Sequence, residues 1–331
     1  MRASGPVAYG RWLLRLVATD LRALQPAIRW VGTALLIVWF AWLTYDRITY
    51  FVSRGYPVGI DATIYYRGVV AWLRGGDPWD AAVVLNGWPY HYAGSPVTTI
   101  LMAPAGLVGE LAFTRIFVIA TWASAVWTLR RLNLPLWWLL FPPMAEALFS
   151  GNPQIVVLAL LVAGHPVASA IATGLKVYAF IPLLGEGRWR HVWAGIGLIG
   201  ATAVVASGLW VEYIGRIGFI SHRLMEESTG GASAFYDPEL LAVTVLALVV
   251  LMIRDRRTAG WLAAPAVWPS SQFHYATMAL PVMSPFLAVF LALPTHRAAP
   301  IAIVLEVVRR LVQPPVMHAI AKVTRQPDER G

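Results

Sequence analysis

Long runs without a charged residue recur along this chain and constrain its fold more than any other feature. Trp30 to Tyr45 is one run of sixteen residues, and Val192 to Val211 is another of twenty. Charged residues make up only 13% of the 331 residues, about half the share usual in a soluble domain. So few polar groups cannot cover a water-exposed surface, and the high apolar content excludes a disordered chain. The sequence therefore predicts a protein that lies largely within a lipid bilayer.

These runs predict an all-α polytopic membrane protein, because about twenty apolar residues in a helix cross a hydrocarbon core of about 30 Å. We count about eleven candidate spans, which predicts a bundle of about 10–12 transmembrane helices. Several runs are shorter than a full span, so we expect some of them to be tilted or re-entrant. Besides the two runs above, the candidates are residues 96–110, 112–129, 135–149, 153–165, 167–185, 239–253, 260–273, 278–294 and 299–313.

Arginine clusters between the apolar runs indicate the orientation of the chain. The chain has 26 basic and 17 acidic residues, and its net charge is +9. Because basic residues mark the cytoplasmic ends of spans, we place the N-terminus inside, together with residues 188–190, residues 254–257 and Arg297. The pair Arg130 and Arg131 falls on the other side and departs from this rule. Short clusters of this kind do not form a face that follows a phosphate backbone, so no nucleic-acid partner is predicted.

The same count divides the chain into three parts. Residues 1–29 are predicted to be a basic cytoplasmic segment, residues 30–313 a transmembrane domain and residues 314–331 a C-terminal tail. Residues 46–95 form an outer loop that is too long for a simple connection. We expect a multi-pass protein of the cell membrane with its functional loop on the extracytoplasmic side. The chain has no cysteine and only isolated aspartates, so no metal is predicted.

The outer loop contains a short amphipathic helix that begins near Asp61 and ends before Gly75 and Gly76. Aromatic residues such as Tyr65 and Tyr66 are typical of a helix that lies in the plane of the membrane interface. Two interpretations of Asp61 stay open. Its carboxylate either caps the helix by accepting the first free backbone N–H groups, or acts as a general base at the membrane surface.

Lys176 is one of only two lysines, and it lies within the apolar run at residues 167–185. A cation inside a span costs about 2.5–3.5 kcal/mol, so it normally faces a partner or a wet cavity. One interpretation is that Lys176 contacts a lipid phosphate as a mobile point charge. The other is an ion pair with Glu146, Glu110 or Glu306.

Two further polar segments interrupt the apolar pattern. Asn152 and Gln154 lie between two short runs, where they either face a cavity or form a plain tight turn. His274 and Tyr275 end a polar patch that is predicted to share the outer face with the long loop. A lone histidine there is either a structural group or part of a site. His91, near the end of the outer loop, is a further candidate.

Five segments of the chain, taken in order, resemble glycosyltransferase family 87 of the GT-C superfamily. They include Asp61 with the stretch Gly-Gly-Asp-Pro-Trp-Asp, the turn at Asn152, the Lys176 segment with Pro182, and the patch that ends in His274-Tyr275. The resemblance extends over about residues 30–295. The segments are residues 61–80, 92–104, 150–154, 174–190 and 268–275.

The resemblance implies a GT-C-type helical bundle with an amphipathic outer loop after its first helix, and no cofactor. It implies an inverting transferase that moves a sugar, with mannose as the first candidate, from a polyprenyl-phosphate donor to a lipid-linked or glycan acceptor among the membrane lipids. By this resemblance Asp61 is the catalytic base. The substrate-binding candidates are Lys176, His274, Tyr275, Tyr65, Tyr66, Arg67, Asn152, Gln154 and His91.

Other functions fit the same composition. A polytopic transporter or flippase without glycosyl transfer is the main alternative, and a non-catalytic membrane scaffold is another. Many transporters consist of two repeated halves, and this sequence shows no such repeat. It also contains no phosphate-binding or dinucleotide-binding glycine motif, which disfavours a nucleotide-driven enzyme or pump.

Overall fold

The protein is described by a computed structural model. The structure describes the backbone of residues 6–227, 233–235, 237–269 and 271–325, and the side chains of residues 26–224, 233–235, 237–269 and 271–311. Helix accounts for 78% of it, which confirms the all-α prediction. The first and last residues of the predicted N-terminal segment and C-terminal tail, 1–5 and 326–331, lie outside the described residues, as does Ser270 of the polar patch.

Fourteen α-helices are described. In the first half of the chain they are α1 (Pro6–Ser53), α2 (Ile60–Leu73), α3 (Pro96–Leu101), α4 (Glu110–Arg131), α5 (Pro142–Ser150), α6 (Gln154–Ala163) and α7 (Pro166–Leu175). In the second half they are α8 (Phe180–Gly185), α9 (Trp189–Val205), α10 (Ser207–Glu227), α11 (Pro238–Arg254), α12 (Arg256–Val267), α13 (Pro285–Leu291) and α14 (Ala298–Arg325). Short 3₁₀ helices cover Pro78–Asp80, Ala103–Leu107, Leu136–Leu140, Val177–Ala179 and Phe273–Val282.

A small antiparallel hairpin interrupts the helical pattern inside the predicted outer loop. Strand β1 (Ala82–Leu85) pairs with β2 (Trp88–His91). Asn86 and Gly87 join them with positive φ angles of 51° and 83°. An Asn-Gly pair between two short strands is the preferred two-residue turn of a hairpin, because both residues must adopt a left-handed backbone. The hairpin was not predicted, although this dipeptide is its sequence signal.

Within the described residues, two helices are long and apolar enough to cross a membrane. They are residues 26–53 of α1 and the whole of α4. Large apolar side chains such as Trp30, Leu35 and Trp42 are exposed along α1, as a lipid-facing helix requires. Two bent pairs bring the number to four if each pair is a single broken span: α5 with α6, bent by 113°, and α9 with α10, bent by 109°.

The described residues thus contain two to four candidate spans, and the predicted bundle of about 10–12 transmembrane helices is not confirmed. One reason is that several predicted spans are not single helices. The run at 135–149 is divided between a 3₁₀ helix and α5, and the run at 167–185 between α7, a 3₁₀ turn and α8. The run at 192–211 bends at Ala206, where α9 ends. Proline explains many of the breaks, since it fits the first turn of a helix but removes a donor and clashes inside one. α5, α7 and α13 all begin at a proline.

Aromatic packing at the centre of the molecule fixes α1 against α5. Phe40 of α1 is fully buried and lies 5.2 Å from Phe141 and 5.5 Å from Trp138, measured between ring centroids. α2 packs on α4, and α12 packs on α8 and on the 3₁₀ helix at 273–282. This arrangement brings the start of α2, the end of α5 and the start of that 3₁₀ helix to one place.

Candidate functional site

Asp61 lies in the first turn of α2, but it is not the N-cap. That position belongs to Gly59, whose φ of 83° only glycine adopts easily, and no side chain caps this helix. The capping interpretation of Asp61 is therefore wrong, because the chain already turns into the helix two residues earlier. A carboxylate in a first turn is still favoured by the positive end of the helix dipole.

A close approach of two loops sets the surroundings of Asp61. The backbone N–H of Gly59 donates to the carbonyl of Phe149 at 2.8 Å. A Cβ on Gly151, which has φ of 66°, would lie only 3.3 Å from the Cα of Gly59. Glycine at both positions thus allows the turn between α5 and α6 to reach the start of α2.

The turn places Asn152 against Asp61. Asn152 Nδ2 donates to Asp61 Oδ2 at 2.8 Å, and its Oδ1 accepts the backbone N–H of Gln154 at 2.9 Å. Both ends of the buried amide are therefore fixed. Asp61 Oδ1 accepts no hydrogen bond from the described residues, so half of the carboxylate stays available. The segment therefore forms the tight turn, and that turn also holds one oxygen of Asp61.

Asp61 lines a cleft that also contains His274 and Glu146. The cleft has a volume of about 80 Å³, which holds a few water molecules and is smaller than the roughly 300–1,000 Å³ of typical ligand pockets. Tyr56 and Tyr90 hydrogen-bond to each other at one side of it. Burial raises the pKa of Tyr56, and the bond to Tyr90 adds to this, so the phenol is neutral.

Glu146 joins two basic side chains that also line the cleft. Its Oε2 accepts Arg47 Nε at 2.6 Å, and its Oε1 lies 3.2 Å from His274 Nδ1. Only 3% of His274 is exposed, and its Nε2 is buried without a hydrogen-bond partner among the described residues. A carboxylate on Nδ1 orients the ring and favours a proton there, which leaves Nε2 for a group that enters the cleft.

Lys176 lies at a helix break and not in the middle of a span. It follows the last residue of α7 in an extended conformation, and its Nζ donates to the hydroxyl of Tyr275 at 3.2 Å. The same Nζ lies 5.7 Å from the centre of the Tyr65 ring. Burial raises the pKa of Tyr65 and the charge of Lys176 opposes this, with a net rise that keeps the phenol neutral.

The alternative in which Lys176 forms a buried ion pair is wrong. Within the described side chains no carboxylate is paired with it. The three carboxylates considered for this role have other partners: Glu146 binds Arg47, Glu110 binds Arg67, and Glu306 binds Arg309 and Arg310. Lys176 contacts the phenols of Tyr275 and Tyr65 instead, and no carboxylate among the described side chains compensates its charge.

Tyrosines lie between the residues of the cleft and Lys176. Tyr65 is one helical turn after Asp61, and Tyr275 follows His274. Tyr178 packs on Tyr275 with 4.7 Å between ring centroids. Its hydroxyl donates to the Oε1 of buried Gln154, whose Nε2 has no partner among the described residues. The structure thus brings together seven of the predicted residues: Asp61, Asn152, Gln154, Tyr65, Lys176, His274 and Tyr275.

Three predicted residues lie elsewhere, and here the sequence interpretation is corrected. Tyr66 donates to the carbonyl of Val108 on the far side of α2. Arg67 is exposed and pairs with Glu110 at 3.0 Å. His91 ends strand β2 and lines a different, small cavity beside α10.

Arg47 and Glu146 were not predicted as members of the site. Glu146 lies in an apolar run, and a carboxylate there is a functional candidate in its own right. It was considered only as a partner for Lys176. Arg47 follows the first charge-free run closely and was counted with the outer loop.

No group of three or more metal-binding side chains is assembled within the described part of the chain. No protein-family model, no curated protein sequence and no solved structure matches this chain.

Proposed function

We propose that the protein is a membrane glycosyltransferase that moves a sugar, with mannose as the first candidate, from a polyprenyl phosphate to a lipid-linked or glycan acceptor. The observation that carries this proposal is the Asp61 carboxylate. One of its oxygens is held by Asn152, and the other is available at a cleft that His274 also lines. A positioned carboxylate next to a cationic and hydrogen-bonding wall is what a direct displacement at a sugar needs.

In the proposed reaction Asp61 acts on the acceptor. Its free oxygen takes the proton of the acceptor hydroxyl as that oxygen attacks the anomeric carbon. The bond between this carbon and the donor phosphate breaks at the same time, and the polyprenyl phosphate leaves as an anion. A single displacement inverts the anomeric configuration. Asn152 keeps the carboxylate in place while its protonation changes.

The leaving phosphate requires stabilisation that the other side of the site offers. Lys176 has no carboxylate partner among the described residues and can donate to the phosphate directly. His274 Nε2 is also without a partner there, and it donates to the phosphate only when both ring nitrogens carry a proton. Tyr275 already binds Lys176 and fixes its direction. Donors that are held in place before the charge develops are the most effective form of electrostatic stabilisation.

Two features of the whole chain support a lipid-linked donor. α1 and α4 are long and apolar enough to cross a membrane, and α1 exposes large apolar side chains. The cleft is too small for a sugar as it stands, so a substrate has to displace side chains that line it. We expect the hydrogen bond between Tyr56 and Tyr90 to be one of the contacts that separate.

One observation favours the transporter as a second candidate. α5 and α6 meet at a bend of 113°, and Asn152 lies at this bend next to Asp61. Many transporters bind their cargo between the halves of such broken helices.

The test compares wild type, Asp61→Asn and Asp46→Asn in membranes supplied with polyprenyl-phosphate mannose and a phosphoinositol-mannoside acceptor. Asp46 is an exposed carboxylate of α1 outside the cleft, so its variant is the matched control. We expect Asp61→Asn to reduce product formation by about 100- to 10,000-fold and Asp46→Asn to leave it unchanged.

Equal product from wild type and Asp61→Asn would remove Asp61 as the base. No product with any lipid-linked sugar, together with substrate-dependent uptake into vesicles, would establish the transporter instead.

A further inference from the structure

A second concave site lies far from the cleft, where the turn between α8 and α9 meets the start of α12. It has a volume of about 540 Å³ and is open to the surface. α12 runs from this site towards the segment that carries His274, and its twelve residues are about 18 Å long. The lining residues are Gly185, Glu186, Gly187, Arg188, Arg256 and Arg257.

Glu186 organises the site. Its side chain is only 10% exposed, and it accepts Arg188 Nε at 2.6 Å and Arg257 Nε at 3.1 Å. Trp261 Nε1 donates to the same carboxylate at 2.7 Å. The two guanidinium groups are therefore fixed through Nε, and each keeps terminal N–H groups for a further acceptor.

Backbone carbonyls hold the same two arginines in place. Arg188 Nη1 donates to the carbonyl of Leu161 at 3.2 Å, and Arg257 Nη2 donates to that of Pro281 at 3.3 Å. A guanidinium with two fixed contacts loses little conformational entropy when it binds a third group.

Arg256 is the third arginine of the cavity, and its side chain is not held by a polar contact with the described residues. It is exposed at the cavity and has no hydrogen bond or ion pair with the described residues. Its neighbour Asp255 does not neutralise it, because that carboxylate binds Arg310 at 2.7 Å. Three arginines and one glutamate thus leave the cavity with an excess of two positive charges.

Membrane topology alone does not account for this arrangement. Orientation requires basic residues near the ends of spans, and Arg254 or Arg190 would serve equally well. It does not require three guanidinium groups to line one cavity, with two of them bound to the same carboxylate. Convergence of that kind is typical of sites that bind phosphate oxygens with paired N–H donors.

We propose that this cavity binds a phosphate group, either in the headgroup of an anionic lipid or in a soluble phosphate compound. Arg188 and Arg257 present fixed donors, and Arg256 closes over the phosphate. The site shares no residue with the cleft, so this proposal stands independently of the proposed transferase.

The experiment has two arms that distinguish the sources. In the first, inorganic pyrophosphate is titrated into the full-length protein in neutral detergent, and binding is followed by calorimetry. In the second, the thermal unfolding midpoint is measured in nanodiscs of phosphatidylcholine with or without phosphatidic acid. Wild type is compared with Arg256→Gln, Arg256→Lys and the control Arg254→Gln, which removes an exposed charge outside the cavity.

We expect wild type to respond in at least one arm, and the responding arm identifies the source. Arg256→Gln should weaken binding at least about tenfold, Arg256→Lys should weaken it less, and Arg254→Gln should leave it unchanged. Because the Arg256 side chain is exposed and makes no hydrogen bond or ion pair with the described residues, its variants should fold normally. No response of wild type in either arm, or equal losses in Arg256→Gln and Arg254→Gln, would overturn the proposal.

Discussion

Glu146 is the residue on which the buried polar contacts of the candidate site depend. Its side chain is 7% exposed and that of Arg47 14% exposed, and the two meet at 2.6 Å while His274 contacts the other oxygen. Three aromatic rings also lie within 6 Å of the Arg47 guanidinium. In such a place the net gain from an ion pair is small, but the loss of one partner is costly.

We expect Glu146→Ala to lower the free energy of unfolding by about 3 kcal/mol, because Arg47 then stays buried without this carboxylate. The double variant Glu146→Ala with Arg47→Met should recover part of the loss, since methionine fills the space without a charge. Chemical unfolding in detergent measures both. Equal instability of the single and double variants would show that the charge is not the cause.

The residues of the site could largely be predicted because polar side chains are rare in this chain. Asp61, Asn152, Lys176 and His274 each stand out against apolar surroundings, and the structure brings them together. Helix geometry explains why two other predicted residues of α2, Tyr66 and Arg67, lie outside the site. Side chains one turn apart share a face, as Asp61 and Tyr65 do, whereas the next two residues point away. Tyr66 and Arg67 could have been set aside on this ground.

At the scale of elements, a glycine contact joins α8 to α12. A Cβ on Gly185 would lie 2.7 Å from the Cα of Gly260 and 2.9 Å from the carbonyl oxygen of Arg256. Small residues allow helices to approach closely where lipid provides no hydrophobic driving force between them. The same contact holds the α8–α9 turn beside the start of α12.

Gly185→Ala should therefore lower the free energy of unfolding by about 1–3 kcal/mol, since the backbone atoms that it meets cannot move aside independently. Gly197→Ala on α9 is the control, because a Cβ there meets nothing within 4 Å. We expect that variant to be neutral or to stabilise by up to about 1 kcal/mol through helix propensity. Thermal unfolding of both variants in the same detergent measures this difference. Equal unfolding midpoints for the two variants would contradict the close packing at Gly185.

Asp255 connects α12 to α14 at the same end of the molecule. Its carboxylate accepts the backbone N–H of Thr258 at 3.0 Å and the Thr258 hydroxyl at 2.8 Å, and Arg310 Nη1 donates to it at 2.7 Å. Burial alone would raise the pKa of Asp255. The bonds from Thr258 and the charge of Arg310 outweigh burial and lower the pKa below its usual value.

A lowered pKa in the folded protein means that this carboxylate stabilises the fold above the ordinary Asp pKa of about 3.9. The stabilisation is lost as the pH falls through the lowered value. Asp255→Asn should therefore cost about 1 kcal/mol near neutral pH, and the difference from wild type should vanish in strong acid.

Unfolding midpoints across the acidic range test this expectation. Asp237→Asn is the control, because Asp237 caps α11 without an arginine contact among the described residues. If the difference in unfolding midpoint between wild type and Asp255→Asn stays constant with pH, the expected role of the Asp255 charge is contradicted.

The elements were harder to predict than the residues. Apolar runs at 135–149 and 167–185 have the composition of spans, but hydropathy carries no information about where a helix bends. Prolines and glycines near the breaks were visible in the sequence, and they fix the ends of helices locally. How the resulting short helices fold back on one another depends on contacts between distant segments, such as that of Gly59 with Phe149.

At the scale of the whole molecule, the absence of native cysteine makes the membrane topology measurable. A single cysteine can be introduced anywhere and labelled without background. Three positions suffice: Ser53 at the end of α1, Arg190 at the start of α9, and Leu35 on the apolar surface of α1.

We expect a membrane-impermeant maleimide added to intact cells to label Ser53→Cys, and to label Arg190→Cys only after permeabilisation. Leu35→Cys should resist labelling in both states, because its surroundings are lipid. Rapid labelling of Leu35→Cys by a water-soluble reagent would show that α1 does not lie in a membrane. Labelling of the other two positions from the same side would reverse the predicted orientation.

The length of α1 has a consequence for where the protein can work. Its charge-free run, residues 30–45, is about 24 Å long, whereas a bilayer core measures about 30 Å. A run shorter than the core thins the bilayer around it or draws the flanking side chains towards the core. Arg47 lies two residues beyond this run and binds Glu146 at the cleft. We therefore expect a thicker bilayer to pull on the segment that carries Arg47, so lipid chain length is a variable to which this site should respond.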